Sequence, residues 1–189
     1  REVAILDGFP ERMEGRALLL PVDSLNTDGI YGKDVTYIDN LTPDEMAGHA
    51  MANFDPGFQE IAADGDILVA GRNFGTGSSR EQAATALKYR GIRMVIAGSF
   101  SQTYLRNAFN NAFICIESPA LSDAVRAGHV AETEAGAKTI PAGDLAVDFK
   151  RAVATGKGAE YKLSPVGPAA QELVLAGGLE ALTRERLKA

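Results

Sequence analysis

Residues 67–89 read ILVAGRNFGTGSSREQAATALKY, and this stretch decides the fold. The apolar run Ile67–Ala70 predicts a buried β-strand, and residues 71–77 form a glycine-rich loop. A helix is expected from about Ser79 to Tyr89. A strand, a loop and a helix in this order are the repeating unit of an α/β protein.

The neighbouring segments continue the alternation. Arg93–Ala97 and Phe113–Ile116 are apolar enough to be buried strands, with a helix expected over 101–111 between them. Arg16–Val22 is a further predicted strand. A βαβαβ pattern of this kind predicts a mainly parallel β-sheet flanked by helices.

Outside this centre, a helix is expected to begin after Thr42, because Pro43 suits the first helical position and Glu45 completes a capping box. The part beyond Pro119 is rich in turns and predicts a C-terminal α+β portion, with strands near 145–149 and 161–163.

The boundaries follow from these elements. We expect one domain over residues 1–189, in which residues 1–15 are a linker from an upstream catalytic part and residues 16–189 are folded.

Composition excludes several classes of function. The chain has 189 residues, of which 46% are hydrophobic, and a net charge of −6 that argues against nucleic-acid binding. No apolar run is long enough for a membrane span, so we expect a soluble protein. The single cysteine, Cys115, excludes a disulfide or a cysteine-built metal site within the chain and is expected to be a buried structural thiol. His49 and His129 have no ligand-type partners at useful spacing.

The glycine-rich loop suggests anion recognition. Glycines permit positive φ and turn successive N–H groups toward a common point, and a following helix start favours negative charge. An arginine fork binds a carboxylate with two hydrogen bonds. The candidates are the loop residues Gly75, Thr76 and Gly77 and the polar side chains of Ser78, Ser79 and Arg80.

A structural explanation of the same residues stays open. Ser78 with Glu81, or Ser79 with Gln82, satisfies the capping-box pattern without any function. The loop is not a nucleotide-hydrolase phosphate loop, since no Gly-Lys-Ser/Thr follows the glycines, and it lacks the third glycine of a dinucleotide fingerprint.

Residues 73–81 resemble the Gly-Ser-Ser-Arg-Glu signature of the aconitase swivel domain, shared with isopropylmalate isomerases and homoaconitases. Residues 23–28 are similar to the Asp-x-x-Asn-Thr-Asp loop of that family, and the segments 91–100, 107–111 and 171–180 also fit. The resemblance implies an aconitase swivel-domain-like fold.

Three features are most similar to fungal homoaconitases. Gln82 stands where aconitases and isopropylmalate isomerases usually have histidine, residues 26–31 read Asn-Thr-Asp-Gly-Ile-Tyr, and residues 6–12 look like the linker from a larger N-terminal part. One departure concerns Lys33, which is displaced by one position from the lysine of the fungal pattern.

The resemblance implies a hydro-lyase in which Ser78 is the base and Ser79 and Arg80 bind substrate carboxylate. A four-iron four-sulfur cluster is expected on the catalytic part and none on this chain, which would be inactive alone. The implied partners are the cluster-bearing catalytic domains and a tricarboxylic acid. Candidates for reading substrate length lie in one loop: Thr27, Asp28, Lys33 and Thr36.

The implied reaction interconverts homocitrate and homoisocitrate through cis-homoaconitate in lysine biosynthesis, with a location in the mitochondrial matrix. One alternative is the small subunit of an isopropylmalate isomerase (3-isopropylmalate dehydratase) of leucine biosynthesis, which Gln82 disfavours. The other is a non-catalytic binding module, which the intact Ser78 and Arg80 disfavour.

Overall fold

The computed structural model describes all residues from Arg1 to Ala189, and a seven-stranded sheet organises it. The order across the sheet is β4-β3-β2-β1-β5-β6-β7. Strands β1 to β4 run parallel, and β5, β6 and β7 extend the sheet in antiparallel fashion. In chain order the strands are Arg12–Leu20, Ile67–Ala70, Met94–Ala97, Ile114–Glu117, Ile140–Asp148, Val153–Gly156 and Ala159–Lys162.

Ten helices surround the sheet, and none has both the length and the apolar character needed to cross a membrane. Numbered α1 to α10 in chain order, they are Thr27–Ile30, Lys33–Thr36, Pro43–His49, Phe58–Ile61, Gln82–Tyr89, Gln102–Asn110, Pro119–Ala127, Val130–Glu134, Pro168–Ala176 and Leu179–Lys188. The expected α/β class, with helices flanking a sheet whose central strands are parallel, is confirmed.

The two faces of the sheet bury separate cores, because successive side chains of a strand point to opposite sides. Leu18 and Leu20 of β1 pack with residues of α5 and α6 on one face. Ala17 and Leu19 pack on the other face, with Leu121 of α7 and apolar residues of β5 to β7. Strand β2 lies between β1 and β3 and is buried on both faces, which explains its uninterrupted apolar run.

Strand β1 begins at Arg12, four residues before the predicted Arg16, so residues 12–15 belong to the sheet and not to a linker. They pair with β5, for example Gly15 with Leu145. Polar and apolar residues alternate here because this half of the strand is partly exposed, and a search for a continuous apolar run therefore misses it. Residues before β1 also contact the domain, since buried Gln171 bonds to the backbone of Ala4 and Leu6.

The turn-rich C-terminal α+β portion contributes its strands to the main sheet. The strands predicted near 145–149 and 161–163 correspond to β5 and β7, and β6 between them was not predicted. Strand β6 is only four residues long and half exposed, so its sequence carries little periodic signal.

The position of Gly15 in the sheet gives a stability prediction. A Cβ atom on Gly15 would lie 2.3 Å from the carbonyl oxygen of Gly65, so Gly15→Ala is expected to lower the free energy of unfolding by about 2 kcal/mol. The control is Gly48→Ala in α3, where a Cβ meets nothing within 4 Å and should stabilise the helix by up to ~1 kcal/mol. Urea unfolding measures both. Equal stabilities of the two variants would contradict the close approach of Gly15 to the Gly65 carbonyl.

Candidate active site

The signature segment, residues 71–81, lies at the carboxyl end of β2, between the loops that follow β1 and β3. Loops at the carboxyl ends of parallel strands meet at one edge of the sheet, and this edge is where α/β proteins bind ligands.

Main-chain hydrogen bonds hold the segment on both sides. Those to the β1 loop run from Ser24 N to Arg72 O at 2.7 Å, from Gly75 N to Leu25 O at 2.8 Å and from Thr27 N to Thr76 O at 2.9 Å. Those to the β3 loop run from Phe74 N to Ser99 O at 3.0 Å and from Ser101 N to Phe74 O at 2.9 Å. The first half of the segment therefore continues the parallel pairing of β2.

Gly75 sits against the buried ring of Tyr104. Its φ is +81°, and a Cβ atom would lie 2.2 Å from Tyr104 Cγ, so only glycine fits. The Tyr104 hydroxyl donates to the carbonyl of Ala83 at 2.9 Å, and its ring packs with those of Phe74 and Phe100. One side chain thus holds the segment both before and after the serines.

Helix α5 begins at Gln82, three residues after the predicted Ser79. Extended pairing holds the chain as far as Thr76, and Gly77 then turns it with a φ of +100°. The cap position is Glu81, and no side chain forms a capping hydrogen bond. The capping-box explanation of Ser78 and Ser79 is therefore wrong, and both serines stay exposed in the loop.

A row of free donors follows the last extended pair. The amide N–H groups of residues 77–82 donate to no carbonyl or side chain of the protein, nor do the hydroxyls of Ser78 and Ser79. Gly77, with φ +100°, turns the chain at the start of this row. Successive unpaired N–H groups of this kind make a surface that binds anions.

The Arg80 side chain is only 10% exposed and packs against the loop that follows β1. Its Nη1 donates to the carbonyl of Tyr31 at 3.3 Å and lies 3.8 Å from Asp28 Oδ1. Its Nε and Nη2 have no partner. They reach solvent, because His129 Nε2 is the only buried side-chain nitrogen or oxygen without a partner. One edge of the guanidinium is thus free for a two-bond contact with a carboxylate.

Two of the four candidates for reading substrate length contact the signature segment. Thr27 is 3% exposed, and its hydroxyl lies 3.4 Å from where a Cβ on Gly77 would stand. Asp28 is half exposed, and its carboxylate accepts the N–H of Lys33 at 2.8 Å besides lying near Arg80.

The other two candidates lie on the next turn, α2. Lys33 is exposed, and its ammonium has no hydrogen bond or ion pair. The Thr36 hydroxyl donates to the carbonyl of Gly32 at 2.9 Å. Thr36 lines an open cleft of about 350 Å³ together with Gln82 and Tyr31.

Asp23 fixes the start of the signature segment. Its carboxylate accepts the N–H of Arg72 at 2.8 Å and the Arg126 guanidinium at 3.0 Å. The Arg72 side chain binds Asp123 of α7. The pKa of Asp23 lies below its usual value, first because of the Arg72 N–H and then because of Arg126. Asp23 is the first residue of the Asp-x-x-Asn-Thr-Asp loop, and its contacts give it a structural role that the sequence did not predict.

No group of three or more metal-ligating side chains occurs in the structure. Cys115 is buried in β4, as predicted, and burial raises the pKa of its thiol. A single buried thiol does not fit an iron–sulfur cluster, which needs several cysteine thiolates.

Comparison with known proteins gives a consistent result. The model of the family described as the aconitase C-terminal domain matches residues 1–121. The mitochondrial homoaconitase of Neurospora crassa is 42% identical over 193 residues, which cover 98% of this chain and 24% of that protein. The mitochondrial homoaconitase of Kluyveromyces lactis is 41% identical, covering 98% of this chain and 28% of that protein. The chain thus spans about a quarter of the length of the curated relatives it matches.

A solved structure is also similar. The 3-isopropylmalate dehydratase of Methanocaldococcus jannaschii superposes with a TM-score of 0.75 at 32% identity, covering 93% of this chain and 95% of that chain. The fold predicted from the sequence resemblance is therefore confirmed.

The Asp23 contacts predict a pH-dependent contribution to stability. Because folding lowers the pKa of Asp23, its contribution is complete above the ordinary value of 3.8 and is lost as pH falls through the lowered value. Asp23→Asn resembles the protonated acid, so it should be about 1 kcal/mol less stable than the wild type at pH 7, with a smaller deficit at pH 3. Denaturant unfolding at both pH values checks this.

The control for that series is Asp144→Asn, at an exposed carboxylate without a hydrogen bond or ion pair. Its stability should match the wild type at both pH values. A deficit of Asp23→Asn that is the same at pH 7 and pH 3 would contradict a role for the Asp23 charge.

Proposed function

Because the chain belongs to the family of the aconitase C-terminal domain, we propose that it is the mobile swivel domain of a homoaconitase. Its enzyme would interconvert homocitrate and homoisocitrate through cis-homoaconitate, a step of lysine biosynthesis. The supporting observation is the row of unpaired N–H groups at residues 77–82, next to the free hydroxyls of Ser78 and Ser79 and the free edge of Arg80. This combination suits a substrate with several carboxylates.

In this proposal Ser78 is the base. Its alkoxide takes the proton from the carbon next to a substrate carboxylate, and in the reverse direction its hydroxyl returns that proton. Negative charge develops on the carboxylate as the proton leaves. Arg80 and the free N–H groups stabilise this charge. The same N–H groups also stabilise the negative charge of the Ser78 alkoxide. Ser79 donates its hydroxyl to the bound carboxylate. Departure of the hydroxyl from the neighbouring carbon belongs to the catalytic part.

The partner in this proposal is a catalytic part that carries the four-iron four-sulfur cluster, since no group of this chain fits one. The relatives are about four times longer than the chain, which supports a partner within the same polypeptide. Residues before β1 would lead from that part. Because the relatives are named mitochondrial, we place the enzyme in the mitochondrial matrix.

Two residues of α2, Lys33 and Thr36, are proposed to read substrate length. The Lys33 ammonium is exposed and unpaired, so it is available to the distal carboxylate of a longer tricarboxylic acid. Thr36 of the same turn lines an open cleft together with Gln82, and this cleft would leave room for a longer chain.

The likeness to the 3-isopropylmalate dehydratase structure favours a second candidate function, hydration of isopropylmaleate by the same residues. Lys33 disfavours this second function, because the isopropyl group of isopropylmaleate has no carboxylate that could bind the Lys33 ammonium. Homoaconitase therefore remains the proposed function.

The test uses the complete enzyme with its cluster-bearing part. Hydration of cis-homoaconitate is followed by loss of ultraviolet absorbance, with cis-aconitate and isopropylmaleate run beside it. Ser78→Ala is expected to lower kcat at least 100-fold, the typical effect of losing a general base. The control is Ser164→Ala, at an exposed serine in the loop after β7, which should keep full activity.

Two results would overturn this assignment. Preferential turnover of isopropylmaleate would make the enzyme an isopropylmalate isomerase. Full activity of Ser78→Ala would remove Ser78 as the base.

A further inference from the structure

We propose, on the basis of the function proposed above, that Asp28 is a positioning residue that aims the free edge of Arg80 at the substrate. Asp28 would thus act through Arg80 and not as a direct ligand of the substrate. This assignment is based on the surroundings of one guanidinium nitrogen, Arg80 Nη1.

Arg80 Nη1 has one hydrogen-bond acceptor and one nearby carboxylate at ion-pair distance. The Tyr31 carbonyl is at 3.3 Å, and Asp28 Oδ1 is at 3.8 Å. A guanidinium held by one hydrogen bond can still swing about that bond, whereas attraction to a nearby carboxylate restricts its orientation. The opposite edge, Nε and Nη2, is then left facing solvent in one orientation.

Asp28 is itself held in place. Its Oδ1 accepts the N–H of Lys33 at 2.8 Å, and its carbonyl accepts Asn53 Nδ2 at 3.1 Å. Asn26 caps the same turn through the N–H of Gly29 at 2.8 Å. The carboxylate therefore has a fixed position from which to orient Arg80, and it is the only acidic group within ion-pair distance of that side chain.

Direct substrate binding by Asp28 is disfavoured by charge. Its carboxylate would repel those of a tricarboxylic acid, and the repulsion grows when closure of the site excludes water. The competing explanation is a surface ion pair without consequence, since exposed pairs often contribute nothing measurable. An experiment must therefore distinguish orientation of Arg80 from mere proximity.

Asp28→Asn provides the variant, because its amide oxygen can still accept the Lys33 N–H while the charge near Arg80 is lost. Asp34→Asn is the matched control: it removes an exposed carboxylate from the adjoining turn, where no arginine contacts it. The first readout needs only this chain. We expect the NMR relaxation of the Arg80 Nε–H group to show greater mobility in Asp28→Asn and no change in Asp34→Asn.

The second readout uses the complete enzyme. Asp28→Asn should lower kcat/KM about tenfold, mainly through KM because a misaimed Arg80 weakens carboxylate binding, while Asp34→Asn stays at the wild-type value. Unchanged Arg80 mobility in Asp28→Asn, or an equal kinetic loss in Asp34→Asn, would overturn the role of Asp28. Failure of the proposed function is a separate result, because it would appear as full activity of Ser78→Ala whatever the mobility of Arg80.

Discussion

Main-chain pairing of the signature segment with the loops after β1 and β3 is the constraint on which the site depends. The bonds from Gly75 N to Leu25 O and from Thr27 N to Thr76 O prolong the parallel sheet beyond β2 by several residues. This pairing brings Gly75 close to the Tyr104 ring, and α5 begins only at Gln82, after a turn at Gly77. Ser78 and Ser79 therefore lie between a rigid extended stretch and a helix, and belong to neither.

Where the pairing ends, the chain leaves polar groups unsatisfied. The N–H groups of residues 77–82 and the Nε and Nη2 atoms of Arg80 all lack partners within the protein. Water can satisfy these donors in the free protein, but successive N–H groups beside a guanidinium form a surface on which an anion can supply the acceptors.

Sequence reasoning predicted what local chemistry determines. Strand β2 has the predicted bounds, Ile67–Ala70, because a strand that is buried on both faces consists of an unbroken apolar run. The capping box of Thr42 and Glu45 also forms as expected. The predicted bounds of an element are wrong where they depend on residues that are distant in the sequence. The extended course of the chain up to Thr76, which precedes the late start of α5, depends on pairing with Thr27, 49 positions earlier. The early start of β1 depends on pairing with β5. The support of Gly75 by Tyr104 has no local signal at all.

Residue-resolved amide hydrogen exchange on this chain tests the extended pairing most directly. If the segment continues the sheet, the amides of Gly75 and Thr27 should exchange as slowly as those of β2, while the amides of residues 77–82 should exchange near the rate of an unprotected peptide. Gly75 and Thr27 exchanging as fast as residues 77–82 would mean that the segment is an unpaired loop, and the positioning of Ser78 and Arg80 described above would lose its foundation.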